Sequence, residues 1–263
     1  GMIMNIKIMV ASHKDVELPK DKIYFPVLVG SDRNYTGQTG FQPDNVGDNI
    51  SSKNANYNEL TAIYWAWKNL KDVDVIGLDH YRRLFSRGHE RKLSNALNTG
   101  DVENLLKKAP VILPKKRNYF IETIESHYLH SHYQDPLLAT RAVIKESYPD
   151  YLAAFDNVMK HKSAHMFNMF IMEKSYFDDY CNWLFGVLFK VEKNIDISNY
   201  PPQEARVFGY LSEILMDVWV EANQIKYVEC NWIQIGKRHM FQKAFVFLKR
   251  KFFTNVGHDK THF

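Results

Sequence analysis

The sequence predicts an α/β protein: a Rossmann-type mixed sheet flanked by helices, followed by a mainly helical C-terminal part. Three observations predict it. Short apolar runs rich in β-branched residues, at 5–11, 73–78 and 110–113, read as buried strands. Segments of helical periodicity alternate with them, above all 51–70, 174–190 and 203–222. The run 73–78 delivers Asp79-His80-Tyr81-Arg82-Arg83 at its carboxyl end. In α/β folds that end of a strand is where ligands bind.

A chain of 263 residues builds one large α/β domain or two small ones with a sizeable core. A hydrophobic content of 45% excludes a disordered chain. Aromatic residues reach 14%, mostly as core, although sugar-binding clefts also use ring faces. Gly1 ahead of Met2 has the form of an expression remnant. Cys181 and Cys230 have no patterned spacing, which suits a reduced, cytosolic protein. No signal peptide is evident, and apolar runs such as 183–189 are too short to span a bilayer.

The net charge of +4 is unevenly placed. From Lys237 onward seven cations face the single carboxylate Asp259, a local charge of +6, which leaves the body at −2. A slightly acidic body argues against nucleic acid as a partner, and the basic tail points to an anionic one.

Taken in order, 5–11 is the first strand and ends in the polar tip Ser12-His13-Lys14. No G-x-G-x-x-G or Walker pattern follows, which excludes a dinucleotide or P-loop site. Residues 24–30 form a second strand, with Pro26 placing it near an edge. A long polar loop, 31–49, contains Asp44 and Asp48 without the ligand set of a calcium loop and reads as a structured turn. Residues 51–70 read as one helix, capped by Ser51 or Ser52 and buried through Tyr57, Leu60, Tyr64 and Trp67. Its Asn54, Asn58 and Thr61 lie on another face with Lys53 and Glu59 nearby, a plain solvated face or the wall of a nucleotide site.

Residues 86–100 are polar and irregular; 101–108 is a short helix, and 110–113 a strand closed by Pro114-Lys115-Lys116-Arg117. His127, His130 and His132 are not spaced to put three ligands on one helix face. Helices over 135–147 and 150–161 follow. Residues 164–172 read as an aromatic and Met-rich strand whose His165 and Asn168 need partners, either in the core or on a cleft wall, with the cleft favoured. Then come a core helix over 174–190, a loop to Pro202, a helix over 203–222, and a last strand over 225–230. On 203–222 the stripe Arg206, Tyr210, Glu213, Asp217 is an internal ion-pair network, or it presents Glu204 or Arg206 to the site.

Three blocks identify a family. Asp48-Asn49-Ile50-Ser51-Ser52-Lys53-Asn54, then Tyr57 to Asn69, then Gly77-Leu78-Asp79-His80-Tyr81-Arg82-Arg83 resemble the DUF4422 family of bacterial polysaccharide-assembly glycosyltransferases. The likeness extends to Arg206-Val207-Phe208-Gly209-Tyr210-Leu211-Ser212-Glu213 and covers the chain from Lys7 to about Trp232. It implies a GT-A-like glycosyltransferase domain over 2–236, followed by a basic amphipathic tail over 237–263. It further implies a nucleotide-sugar donor, expected to be a UDP-sugar, and a saccharide acceptor in capsule, exopolysaccharide or lipopolysaccharide synthesis. Many GT-A enzymes carry Asp-x-Asp at a strand's carboxyl end to hold a divalent metal. Here Asp72-Val73-Asp74 precedes the strand, and the proper end offers only Asp79. At most weak dependence on Mn2+ or Mg2+ is therefore expected.

On this reading Arg82, Arg83 and His80 serve the diphosphate as preorganised donors. Asp79 binds the donor sugar or a metal, and Ser12, His13, Lys53 and Asn54 surround the nucleoside. His165 and Glu204 are candidates for the base, with Asn168 and Arg206 toward the acceptor or behind the site. Residues 237–253 interleave Met240, Phe241, Phe245, Phe247 and Leu248 with cations, the pattern of an interfacial helix. That suits a lipid-linked acceptor at the cytoplasmic face of an anionic membrane, and a tail helix packed on the body fits the pattern equally. One alternative is a non-catalytic nucleotide-sugar or carbohydrate-binding protein of the same fold, which donor turnover would separate. An anionic-polymer binder using Arg82, Arg83 and the tail is the other.

Overall fold

The computed structural model describes residues 3–37, 40–119 and 121–236. The expected interfacial helix over 237–253 and the tail domain over 237–263 lie outside them.

A mixed sheet forms the centre, as the sequence predicts. β1 (Ile6–Ser12) runs parallel to β2 (Tyr24–Leu28), which pairs in turn with the two-residue edge strand β3 (Gln42–Pro43). On its other side β1 runs parallel to β4 (Val75–His80). β4 bends back through Tyr81 and Arg82 into β5 (Arg83–Phe85). Beyond β4 the antiparallel β9 (Phe170–Glu173) joins it to β6 (Val111–Pro114), with β10 (Tyr227–Cys230) outermost. β11 (Trp232–Gln234) pairs with β5. β7 (Arg117–Asn118) and β8 (Ser163–Ala164) make a separate ribbon. Because β1, β2 and β4 are parallel, their carboxyl ends open on the same side, which is where the site is built.

Nine α-helices flank the sheet among the described residues. The short α1 (Ser31–Asn34) and α2 (Asn54–Tyr57) frame that side of the sheet. α3 (Leu60–Asn69) buries Tyr64 and Trp65, and Tyr64 meets Phe185 of α8 edge-on. α4 (Thr99–Leu106) begins at a reciprocal capping box between Asn98 and Asp101 and packs on β6. α5 (Ile124–Ser131), α6 (Gln134–Ser147) and α7 (Leu152–Met159) lead to the 21-residue α8 (Lys174–Asn194), which packs on β4 and β9. α9 (Val207–Ala222) is buried almost all round, which is why its sequence is apolar on every face.

Three expectations are corrected here. The helix expected over 51–70 is broken. A 3-10 turn (Ser51–Lys53) leads into α2, and Asn58 then takes φ 53 and ψ −132 before α3 begins. Neither Ser51 nor Ser52 caps it; the Ser51 hydroxyl donates to Asp44 instead. The strand expected over 164–172 starts only at Phe170, because Phe167 (φ 72) and Asn168 (φ 56) turn the chain through the left-handed region. The helix expected over 203–222 starts at Val207.

Candidate active site

A cavity of about 510 Å³ lies at the carboxyl ends of β1, β2 and β4. That volume suits a small-molecule ligand. The tip of β1 and the residue after it contribute Ser12 and His13, the β4–β5 hairpin contributes His80 to Arg83, and the broken helix contributes Asn54, Asn58 and Glu59. Arg33 comes from α1 and Arg206 from the start of α9.

Each wall is fixed from beneath. Asp44 is fully buried and accepts from the amides of Gly30 (2.8 Å) and Ser31 (3.0 Å) and from Thr61 Oγ1 (2.7 Å). It ties the end of β2 to the start of α3, the structured turn its sequence suggests. Gly30 takes φ 58, and a Cβ there would meet Asn54 Oδ1 at 2.6 Å. Arg33 donates to that same oxygen at 3.1 Å. His80 is buried and its Nε2 lies 2.5 Å from the Phe167 carbonyl; burial pulls its pKa below the usual range. Burial, then Lys14 and Arg82, lower the pKa of His13. The guanidinium of Arg83 lies 3.6 Å from the centre of the Phe167 ring and 5.2 Å from that of Trp232. Burial brings its pKa down to about 10, against the pull of Glu213 and Glu59.

Four arginines, Arg33, Arg82, Arg83 and Arg206, thus face a single lining carboxylate, Glu59. Such a wall suits phosphate oxygens, which the guanidinium fork meets in pairs. It does not suit a divalent cation, which needs several hard oxygen ligands. Among the described residues no group of three or more His, Cys, Asp or Glu is arranged to hold a metal.

Of the residues expected at the site, Ser12, His13, Asn54, His80, Arg82, Arg83 and Arg206 do line this cavity. Asp79 does not. Side chains alternate along β4, so Asp79 faces away from His80. It is fully buried, it accepts from the Phe85 amide, and burial raises its carboxyl well above the carboxylate range. Its expected roles at the donor and as a metal ligand do not match this position. Lys53 turns outward to an ion pair with Glu192 at 2.9 Å.

His165 is held at both ring nitrogens, by Asp217 at 2.6 Å and Glu229 at 2.7 Å, and lies outside the cavity. It is a satisfied core residue, not a base on a cleft wall. Glu204 meets His132 Nδ1 at 3.1 Å, and it too lies outside the lining. Asn168 stands behind the site: its Nδ2 donates to Glu59 Oε1 at 2.7 Å. Arg33 and Pro202 line the cavity with no signal in the sequence beyond their residue type, whereas Tyr81 belongs to the strand-end cluster that the sequence singles out. Glu59 and Asn58 carried a weak one, as the polar face of a helix beside a strand tip.

A second cavity of about 30 Å³ is lined by Tyr119, His127, Tyr128, His132, Tyr210 and Glu213, among others. Tyr119 stacks on His127 and Tyr210 on His132, with ring centres 4.2 and 4.0 Å apart. Glu213 accepts from the Phe167 amide at 3.3 Å, and burial, then the charge of Glu59, push its carboxyl up to about 8.

Residues 7–224 match a protein family described as a domain of unknown function, DUF4422. The fold matches the apo structure of the bifunctional glycosyltransferase WbbM with a TM-score of 0.81 at 30% sequence identity. That likeness covers 88% of this chain and 45% of the other, so the chain spans less than half of that enzyme's length. Comparison with curated proteins finds no match.

Proposed function

The chain belongs to the DUF4422 family, and from that premise we propose that it is a glycosyltransferase that moves a sugar from a nucleotide-sugar donor, a UDP-sugar, to a growing glycan. The observation that carries this reading is the arginine wall at the carboxyl ends of β1, β2 and β4, in a fold shared with a glycosyltransferase. Transfer leaves a nucleoside diphosphate whose charge must be met as the anomeric bond breaks. Arg33, Arg82, Arg83 and Arg206 supply fixed positive charge inside a partly enclosed space, where it acts more strongly than in water. Arg83 is locked between Phe167 and Trp232, so little reorganisation accompanies the reaction. Ser12, His13 and Asn54 line the part of the cavity nearest the first strand and α2, and are assigned to the nucleoside.

The acceptor is a saccharide of a cell-surface polysaccharide, carried on a lipid. No helix among the described residues is long and apolar enough to cross a membrane. The cations and aromatic residues of 237–253 are proposed to bring the enzyme to an anionic membrane surface. Co-sedimentation with anionic vesicles, lost on truncation near Gln234, would support that; equal behaviour of both chains would reject it.

Donor use is tested by thermal shift with UDP, GDP, CMP and their sugars, followed by release of nucleoside diphosphate. A ligand at a hundredfold its Kd stabilises the native state by about 2.7 kcal/mol. UDP is expected to raise Tm, and Arg82→Ala to weaken its binding about ten- to hundredfold, the worth of a hydrogen bond to a charged group. Absence of any nucleotide response in the wild type rejects the reading.

A further inference from the structure

We propose that Glu59 is the carboxylate that takes the proton from the acceptor hydroxyl, and that Asn168 is the residue that positions it. The proposal rests on the glycosyltransferase reading and names the base that reading lacks.

Glu59 is the carboxylate that the described lining of the large cavity contains. It is only 6% exposed, yet it reaches that lining because the helix breaks just before it. Asn58 holds φ 53 and ψ −132, a backbone conformation that costs a non-glycine residue about 1–3 kcal/mol and persists where the surroundings impose it. The surroundings here are specific. Asn54 Nδ2 donates to the Asn58 carbonyl at 2.9 Å, and the Asn58 side chain lies against Gly209 of α9.

A buried relay then orients the carboxylate. Asn168 sits at φ 56 in the turn ahead of β9 and is 3% exposed. Its Oδ1 accepts from Ser212 Oγ at 2.6 Å, which leaves Nδ2 as the donor to Glu59 Oε1 at 2.7 Å and to the Gly209 carbonyl at 3.2 Å. Ser212, Asn168 and Glu59 are therefore ordered from α9 toward the cavity, each by a hydrogen bond of fixed direction. Buried relays of this kind hold a reactive group in one geometry.

The charges around Glu59 fit a base. Arg83 and His80 bear on it from the turn after β4, Glu213 from α9. Two neighbouring carboxyls divide the roles when their environments differ. Burial, then the charge of Glu59, push Glu213 toward its protonated form. In the proposed step a Glu59 oxygen takes the acceptor's proton while the acceptor oxygen bonds to the anomeric carbon. The bond from that carbon to the phosphate oxygen breaks, and its electron pair leaves on the nucleoside diphosphate facing Arg82 and Arg206. The proton passes from Glu59 to solvent, and the sugar is transferred with inversion.

Glu59→Gln and Glu59→Ala test it. Gln retains an oxygen to accept from Asn168, and Ala does not, so a purely structural role is rescued by Gln. The probes are UDP binding by calorimetry and nucleoside diphosphate release from UDP-glucose, UDP-galactose, UDP-N-acetylglucosamine and GDP-mannose. Both variants are expected to bind UDP within about twofold of wild type and to lose about a hundredfold or more in kcat. A Glu59→Gln enzyme within about threefold of wild-type kcat overturns the assignment and leaves the glycosyltransferase reading standing. A covalent glycosyl adduct on Glu59, or retained configuration in the product, overturns it in favour of a nucleophile. A wild type that binds UDP but turns over no donor overturns it too. A wild type that binds no nucleoside diphosphate removes the underlying reading itself.

Discussion

The amide of Phe85 donates to Asp79 Oδ1 at 3.4 Å, so the one carboxyl at the tip of β4 is committed to the β4–β5 hairpin and not to the cavity beside it. The four residues that follow, His80 to Arg83, all line that cavity. Asp79 belongs to the hairpin that carries Arg82 and Arg83, and its side chain does not line the cavity that they line.

That relationship yields the first prediction. Burial holds the Asp79 carboxyl neutral well above the pH at which it ionises in the unfolded chain, about 4. Between those two values the folded state binds the extra proton, so stability falls as pH rises. Asp79→Asn is neutral in both states and removes this slope. The variant is expected to be at least as stable as wild type at pH 8 by chemical denaturation, and to keep UDP binding and donor turnover. A folded Asp79→Asn protein without turnover would return Asp79 to the reaction.

Glu213 gives a second pH signature at a different place. Its folded carboxyl is pushed up to about 8, and the unfolded one ionises near 4.3 by ordinary values. Stability is therefore lost progressively across that window and levels off above it. The groups facing Glu213 are the Phe167 amide, Glu59, Arg83 and Arg206, so its ionisation sets a second negative charge beside Glu59. Glu213→Gln is expected to flatten the fall in denaturation free energy between pH 5 and pH 9. Parallel pH profiles for the two proteins would show that Glu213 does not carry the slope.

The strand tips were readable because an apolar run that ends in five polar residues has few other places to go. The α/β class and five cavity residues, Ser12, His13, His80, Arg82 and Arg83, follow from that pattern. What the pattern does not contain is parity. Asp79 and His80 are neighbours in sequence, and only the direction of the cavity decides which one meets the ligand. The break at Asn58 is hidden for a related reason. Residues 51–70 keep helical spacing throughout, and it is the approach of Gly209, far along the chain, that accompanies the kink and brings Glu59 to the wall. His165 shows the reverse case. An isolated histidine in an apolar segment looks poised for chemistry until Asp217 and Glu229, on α9 and β10, are found holding both nitrogens.

Lys53 illustrates how far a long side chain escapes such reading, and it carries the third prediction. It pairs with Glu192 of α8 and lies over the Tyr57 and Phe189 rings, away from the cavity. Both partners are partly exposed, and such a pair contributes about 0.2–1 kcal/mol. Lys53→Ala is expected to lower stability by no more than that and to leave the Kd for UDP unchanged. A tenfold or greater loss of UDP affinity, about 1.4 kcal/mol, would place Lys53 at the donor after all.

The last prediction concerns the contact that shapes the base's position. Gly209 sits inside α9, where a glycine normally costs about 1 kcal/mol relative to alanine. A Cβ there would meet Asn58 Nδ2 at 2.4 Å and its Cγ at 3.3 Å, so the glycine is the space into which Asn58 fits. Gly209→Ala therefore gains helix propensity and loses the fit. Overpacking of a tight contact costs about 1–3 kcal/mol, so the clash outweighs the gain. The variant is expected to melt below wild type. Its kcat for donor turnover should fall further than its UDP affinity, because Glu59 follows Asn58 directly and the Gly209 carbonyl also accepts from Asn168. Gly209→Ser adds the same Cβ and should behave alike. An alanine variant that melts above wild type with full turnover would mean that Asn58 moves aside freely, and that the break before Glu59 does not depend on α9.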